Sequence, residues 1–345
     1  MSTMSLDLIF KNIKKIVDIN EFKICFRSDN HELWNKVYNT LSFKSVIFSE
    51  NFLDYQKIYN DYFDDQVIDI SLIVYNKEDP VALVPAFYFK KKNIISYFDN
   101  NLYLPIFKDE LDQVSRKNIT NNIINFFIKL KKYLKIEKID LSKHGPEIKK
   151  NDLYFDSKNE FQTIDNYHLY LNLQNSLIEI RKNFRKSYLN ILNKKIVNKI
   201  LVFDNKIYDK KIWLNFKNLH FNEAKKQTRS DQSWDKQFDN LCNKKSLFLF
   251  YLHNDTMIAG SLYDISSDEA FYSVGVYNQL ARQKFISHYI QEAAIREFKL
   301  RKIKWYFLGK HLPDKTENIS QKEYNISFFK KGFCSNIINN YIIRI

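Results

Sequence analysis

The chain reads as an α/β (α+β) protein of two domains, each a mixed, mostly antiparallel sheet flanked by helices. Three observations carry this. The length, 345 residues, is that of two ordinary domains. Strand-like apolar runs are interleaved with segments at helical spacing. Each half also holds one hairpin flanked by helices, although no residue-level repeat links the halves. Hydrophobic residues at 45% and aromatics at 16% supply ample core and exclude a disordered chain.

In chain order, Leu8, Ile9, Ile13, Ile16 and Val17 predict a leading helix, followed by a strand before residue 30. Helices are predicted at 31–41 and 52–62. The runs 67–75 and 81–89 form a hairpin around Asn76-Lys77-Glu78-Asp79-Pro80, whose composition is that of a turn. Tyr103-Leu104-Pro105 precedes a helix at 109–134, and a strand at 139–141 ends before His144-Gly145-Pro146. The stretch 149–166 is polar, so the boundary falls near 165, giving domains 1–165 and 166–345. The second half opens with a strand at 167–173, a helix at 176–196 and a strand at 199–204. Helices at 209–224 and 231–243 come next, then strands at 246–252, 256–264 and 269–277, the first two joined at His253-Asn254-Asp255. The basic turn Arg282-Gln283-Lys284 leads into an amphipathic helix at 283–299, a strand at 303–308 and the segment 328–333.

Composition narrows the function classes. No apolar run approaches the ~20 residues of a membrane span, and the N-terminus lacks a signal-peptide pattern. The expected location is the cytoplasm, with contact to the inner face of the membrane left open. Cys25, Cys242 and Cys334 lie far apart with no C-x-x-C spacing, so they read as buried thiols rather than zinc ligands or a disulfide framework. The net charge of +14 and pI ≈ 9.3 have two readings. Lysine is abundant and glycine numbers only 5, as in chains from AT-rich genomes, or a basic face meets a polyanion such as nucleic acid, a nucleotide-linked donor or an anionic membrane. Metal-ligand spacing, a P-loop and a dinucleotide fingerprint are all missing from the sequence.

Several residues are candidates for chemistry. On a single helix 176–196, at 100° per residue, Arg181 and Arg185 fall within the apolar arc of Leu177, Phe184, Tyr188 and Leu192. Guanidiniums there need a substrate anion or an internal salt bridge. His220, read as ending its helix, is expected to act as a general base toward an acceptor hydroxyl or amine, or as a C-terminal cap. Arg229-Ser230-Asp231 opens the next helix ahead of Trp234, which is either a binding or a core residue. Tyr272 and Ser273 alternate with Phe271 and Val274 on the strand 269–277, so one of the pair is expected to face the cleft with Tyr277 at the strand end. A tyrosine there protonates a leaving group or simply packs. Ser287 and His288 sit in the first turn of the following helix, where backbone amides favour anions, with His288 off the apolar arc. Lys310 and His311 follow Gly309, and Lys330-Lys331-Gly332 closes a helix, where lysine is favourable in any case.

Four strings stand in order along the chain: residues 180–186 (IRKNFRK), 220–234 with Thr228-Arg229-Ser230, 285–289 (FISHY) and 323–333. With Leu83-Val84-Pro85 in the first half, they resemble the FemABX-like branch of the GNAT superfamily over most of residues 45–345. The resemblance implies two GNAT-like domains with a cleft between them. It also implies transfer of an acyl or aminoacyl group to an amine or hydroxyl of a cell-envelope or surface-polysaccharide precursor. No permanently bound cofactor is implied; the co-substrate is acyl-CoA, acyl carrier protein or aminoacyl-tRNA, and the acceptor a glycan or a nucleotide- or lipid-linked sugar. Rival readings are an aminoacyl-tRNA-dependent transferase acting on a peptidoglycan precursor and a catalytically inactive GNAT-like binding module. The chain departs from the family where CoA users carry R-x-x-G-x-G/A: Arg282 keeps the first position, but Phe285 and Ser287 replace the glycines and crowd a pyrophosphate.

Overall fold

The computed structural model describes residues 11–15, 23–64, 66–146, 162–194, 199–204, 206–313 and 319–345. Residues 11–15 are helical; the rest of the leading helix lies outside the described residues, as do 149–161 of the polar stretch and positions 195 and 196. Two compact units divide the chain, Met1–Asn166 with Asn340–Ile345, and Tyr167–Asn339.

The first unit contains β1 (Ile24–Phe26), α1 (His31–Thr40), α2 (Glu50–Asp64), β2 (Val67–Asp69), β3 (Leu72–Asn76), β4 (Asp79–Val84), β5 (Phe87–Phe89), β6 (Ile94–Ser96), β7 (Leu102–Tyr103), β8 (Ile106–Phe107), α3 (Gln113–Leu134), β9 (Asp140–Ser142), β10 (Gln162–Ile164) and the last strand, β18 (Ile342–Arg344). The hairpin is present, but each of its two arms breaks in two. β3 pairs with β4, while β2 pairs with β5 in a separate sheet. Pro85 has no N–H to give the ladder, and Ser71 Oγ intercepts the Ala86 N–H at 3.1 Å, so pairing changes partner at the bend. Asp112 caps α3 by accepting the Ser115 N–H at 2.9 Å, which starts the helix later than its apolar pattern suggests. Its buried face, Ile119, Ile123, Phe126, Phe127 and Leu130, joins Leu72, Val74 and Ala82 in one core. β18 lies between β10 and β9, and Arg344 grips Asp140 through Nε at 2.7 Å and Nη2 at 2.8 Å. The last six residues thus belong to the first unit, unlike the expected second domain 166–345.

The second unit is built on a seven-stranded sheet ordered β12-β13-β14-β15-β16-β11-β17. Its strands are β11 (Tyr167–Asn172), β12 (Leu201–Val202), β13 (Ser246–His253), β14 (Thr256–Ile265), β15 (Glu269–Tyr277), β16 (Trp305–His311) and β17 (Asn336–Asn339). The helices are α4 (Leu177–Lys182), α5 (Lys186–Asn193), α6 (Lys210–Ala224), α7 (Asp231–Cys242), α8 (Gln279–Gln283), α9 (Ile286–Leu300) and α10 (Gln321–Lys331). Alternate residues of β13 sort into two cores. Leu247 and Leu249 pack with Ile290, Ala294 and Phe298 of α9. Phe248 and Phe250 pack with Trp213 and Phe216 of α6 and Trp234 of α7.

Two predicted helices are interrupted. The one expected over 176–196 stops at Asn183 and resumes at Lys186, because the Arg185 N–H donates to Gly332 O at 2.9 Å instead of continuing the helical ladder. The wheel that placed Arg181 and Arg185 on one stripe therefore does not apply. The basic turn before the second helix is itself helical, as α8, and ends at Phe285, whose φ is 56°. Phe285 adopts the left-handed conformation that a glycine at this position would take freely. Cys25, Cys242 and Cys334 are free thiols, half-buried rather than buried.

Candidate active site

β15 and β16 run parallel, and their ladder covers only Glu269↔Trp305, Ala270↔Tyr306 and Phe271↔Phe307. Beyond it β15 stays with β14 as far as Tyr277, while β16 stays with β11 as far as His311. The strands therefore part, and a wedge opens between residues 273–277 and 308–311. Register shifts mark both edges, at Leu262/Tyr263 beside β15 and at Leu169/Tyr170 beside β16, and Gly309 takes φ +102°. Bulges of this kind re-aim side chains next to functional sites. Backbone edges that leave their ladder offer N–H and C=O groups to an extended amide chain.

Side chains converge on the wedge for local reasons. Ser327 of α10 anchors its helix to the end of β16, accepting the Leu312 N–H at 2.9 Å and lying 3.1 Å from His311 Nδ1. One turn later comes Lys330, with Nζ 5.4 Å from the Tyr272 ring centroid and 3.0 Å from where a Cβ on Gly309 would stand. The Tyr272 and Tyr277 hydroxyls are 3.1 Å apart, and that of Tyr277 is 2.6 Å from Ser261 Oγ. Burial raises the pKa of both phenols, so near neutrality they are O–H donors. A Cβ on Gly275 would overlap the Tyr272 hydroxyl, which makes the glycine a condition of this arrangement. Gly275→Ala is expected to cost about 1–3 kcal/mol, read as a lowered urea midpoint. Tyr272→Phe in that background should recover part of the loss, and additive effects would contradict the contact.

A second concavity lies between the end of α6 and the start of α7. Its volume is about 240 Å³, and its walls include His220, Phe221, Thr228, Arg229 and Trp234. Ser230 caps α7 through the Ser233 N–H at 3.1 Å, which sets the 228–230 segment across the end of α6. His220 stands edge-on to Trp234, centroids 5.3 Å apart, and the Arg229 guanidinium lies 4.7 Å from the same ring. Arg229, 9% exposed, donates to Gln237 Oε1 at 3.0 Å. Burial, reinforced by Arg229 and Lys322, lowers the His220 pKa to about 4, so the imidazole is neutral at pH 7. Arg282 ties β15 to α6, donating to Tyr277 O and pairing with Glu223 at 2.9 Å.

His288 does not extend into solvent. It is 8% exposed and boxed by Tyr188, Phe329 and Phe333 at 4.4, 5.1 and 5.9 Å. Desolvation, opposed by the hydrogen bond to the Phe285 backbone and assisted by the Arg185 charge, lowers its pKa to about 4. The unfolded imidazole binds a proton near pH 6.5 and the folded one near 4, so this residue's contribution is present above 6.5 and is lost as the pH falls towards 4. The stability advantage of wild type over His288→Gln is therefore expected to shrink by about 3 kcal/mol between pH 7 and 4. A pH-independent difference in urea midpoints would contradict the burial.

The other expected site residues are engaged within the fold. Arg181 pairs with Glu292 and donates to Asn193 Oδ1 at 2.8 Å, the internal salt bridge that its sequence position left open. Arg185 donates to Tyr188 OH and Phe328 O, each at 3.0 Å, and stacks on Phe328. Ser273 donates to Asp264, which also accepts from Ser246 Oγ. Ser287 lies beside His288 Nδ1 at 3.4 Å. Lys310 is exposed on β16, a strand that runs on past Gly309. Sequence reasoning missed Gly275, Gly309 and the acidic partners Glu223 and Glu292. Only the glycines carried a signal, as two of just 5 in the chain.

No protein-family model matches the sequence, and no curated protein matches it. Solved structures do share the two-unit, mixed α/β fold. FemX is similar with a TM-score of 0.65 and 10% identity, over 91% of this chain and 95% of its own. The C-terminal domain of a putative lysylphosphatidylglycerol synthetase from Agrobacterium fabrum gives 0.56 and 8% identity, over 91% and 92%. L-PGS from Bacillus licheniformis gives 0.53 and 9%, over 90% of each chain.

Proposed function

We propose that this protein transfers an acyl or aminoacyl group from a thioester or ester donor to an amine or hydroxyl of a cell-envelope or surface-polysaccharide precursor. The observation that carries the reading is the parting of the parallel pair β15 and β16, with Lys330 and Tyr272 at its edges. An extended donor arm pairs with the strand edges and brings its carbonyl carbon into the wedge. The Lys330 ammonium stabilises the charge that develops on the carbonyl oxygen. The nucleophile attacks directly, giving up its proton to neutral His220 or to a water held by it, and the Tyr272–Tyr277 hydroxyl pair returns a proton to the leaving group. No covalent enzyme intermediate is needed. His220 replaces His288 as the favoured base, because it lines an open cavity whereas His288 is enclosed by rings. The fold shared with FemX and with a lysylphosphatidylglycerol synthetase domain supports the class of chemistry.

A second reading, an aminoacyl-tRNA donor, is favoured by Phe285. Its side chain stands where a CoA-binding loop carries glycine, and it is 43% exposed. The net charge of +14 points the same way. Thermal shift and native mass spectrometry of the full chain against acetyl-CoA, longer acyl-CoAs, acyl carrier protein and charged or uncharged tRNA separate these donors. Binding by any acylated donor supports the transferase. A steep fall of tRNA affinity with salt selects the second reading, and silence from every donor leaves the inactive binding module.

A further inference from the structure

We infer that the cavity between α6 and α7 is an acceptor pocket for a single sugar ring carrying an anionic group, a carboxylate or a phosphate. This rests on the transferase reading for its role, though not for its binding chemistry.

Size comes first. At about 240 Å³ the cavity falls below the ~300–1,000 Å³ of sites that enclose a drug-sized ligand. It accommodates one ring, with anything attached to that ring extending into solvent. The charge balance is positive. Lys217, Lys226 and Arg229 line it against one lining carboxylate, Asp231, which Lys217 already holds at 2.7 Å, while the Arg229 charge is also felt by the buried Asp264 behind it. Lys322 adds to the local field, since its charge is felt at His220. Arg229, largely buried and stacked on Trp234, presents a planar cation suited to carboxylate or phosphate oxygens.

Polarity and shape then favour a sugar over a simple anion. His220, half-buried and at 72° to the Trp234 ring behind it, offers a ring against which the C–H face of a pyranose packs. Asn218 and Gln227 line the same space. Thr228 Oγ1 is buried with no hydrogen-bond partner among the described residues. Such a hydroxyl costs about 1–3 kcal/mol while unpaired, and a ligand hydroxyl satisfies it. His220, the proposed base, shares the pocket, so a hydroxyl or amine on the bound ring lies beside the group that accepts its proton.

Saturation-transfer NMR and calorimetric titration of the full chain at low salt, with glucuronate, glucose 6-phosphate and glucose as probes, test the inference. At least one anionic sugar is expected to bind about tenfold or more tightly than glucose; preference for glucuronate or for the phosphate identifies the anion. Arg229→Gln should abolish that preference. Because Arg229 is buried and its loss can unfold the chain, Lys226→Glu on the exposed rim provides the second variant, with an expected weakening of about five- to tenfold at unchanged melting temperature. Equal binding of glucose, indifference to Lys226→Glu, or no binding by any sugar would overturn the pocket. Donor binding measured in parallel keeps the two ideas apart. Sugar binding without any donor binding sinks the transferase and leaves the pocket, and donor binding without sugar binding does the reverse.

Discussion

Lys330→Met is expected to reduce acyl transfer by about 10²–10³-fold while leaving the urea midpoint close to wild type. The residue owes its position to three contacts rather than to its own helix. Ser327 pins α10 to β16, Gly309 leaves the space that Nζ enters, and the Tyr272 ring lies beside the ammonium. Methionine keeps the length and apolar stem and removes the charge, so the fold should tolerate it. An arginine at 330 is not expected to rescue, because a guanidinium is wider than the ammonium seated over Gly309. A fall in kcat with little change in KM would place the charge in the transition state. Activity within a few-fold of wild type would remove Lys330 from the mechanism.

Trp213→Ala is expected to destabilise the chain by about 3–5 kcal/mol, the largest stability effect foreseen. Trp213 is 1% exposed and meets Phe216, Trp234, Phe238 and Phe248 with centroids 5.4 to 6.0 Å away. Its indole N–H donates to Trp234 O at 3.2 Å, so truncation opens a cavity and removes that hydrogen bond. Trp213→Phe should restore most of the packing but not the hydrogen bond. Because the indole fixes α7 against α6, both variants should also loosen the His220–Trp234 pocket. A urea-derived loss below about 1 kcal/mol would contradict the packing account.

These effects show where the sequence was legible. β15 was read with its observed bounds, 269–277, because it is a long apolar run closed by turns on both sides. The helix start at Arg229-Ser230-Asp231 was also visible, with a Ser or Asp cap expected, and Ser230 is the residue that caps it, since capping is a local hydrogen bond. What stayed hidden depends on distant partners. The break before α5 needs the Gly332 carbonyl, and the fates of Arg181 and Arg282 need Glu292 and Glu223. Phe285 was legible in part: the turn and its place at a glycine position were read, but a phenylalanine gave no hint that its backbone holds the glycine-like conformation. The wedge was legible only indirectly. In a chain with 5 glycines, those at 275 and 309 mark places where Tyr272 and Lys330 approach the backbone.

The central claim is that transfer takes place where β15 and β16 part, and affinity labelling tests it most directly. The full chain would be incubated with a bromoacetyl analogue of whichever donor it binds, and the modified peptide located by mass spectrometry. The account predicts alkylation at Lys330, Tyr272 or Tyr277, suppressed by the natural donor and moved or lost in Lys330→Met. Labelling confined to residues away from the wedge, or unaffected by natural donor, would contradict it.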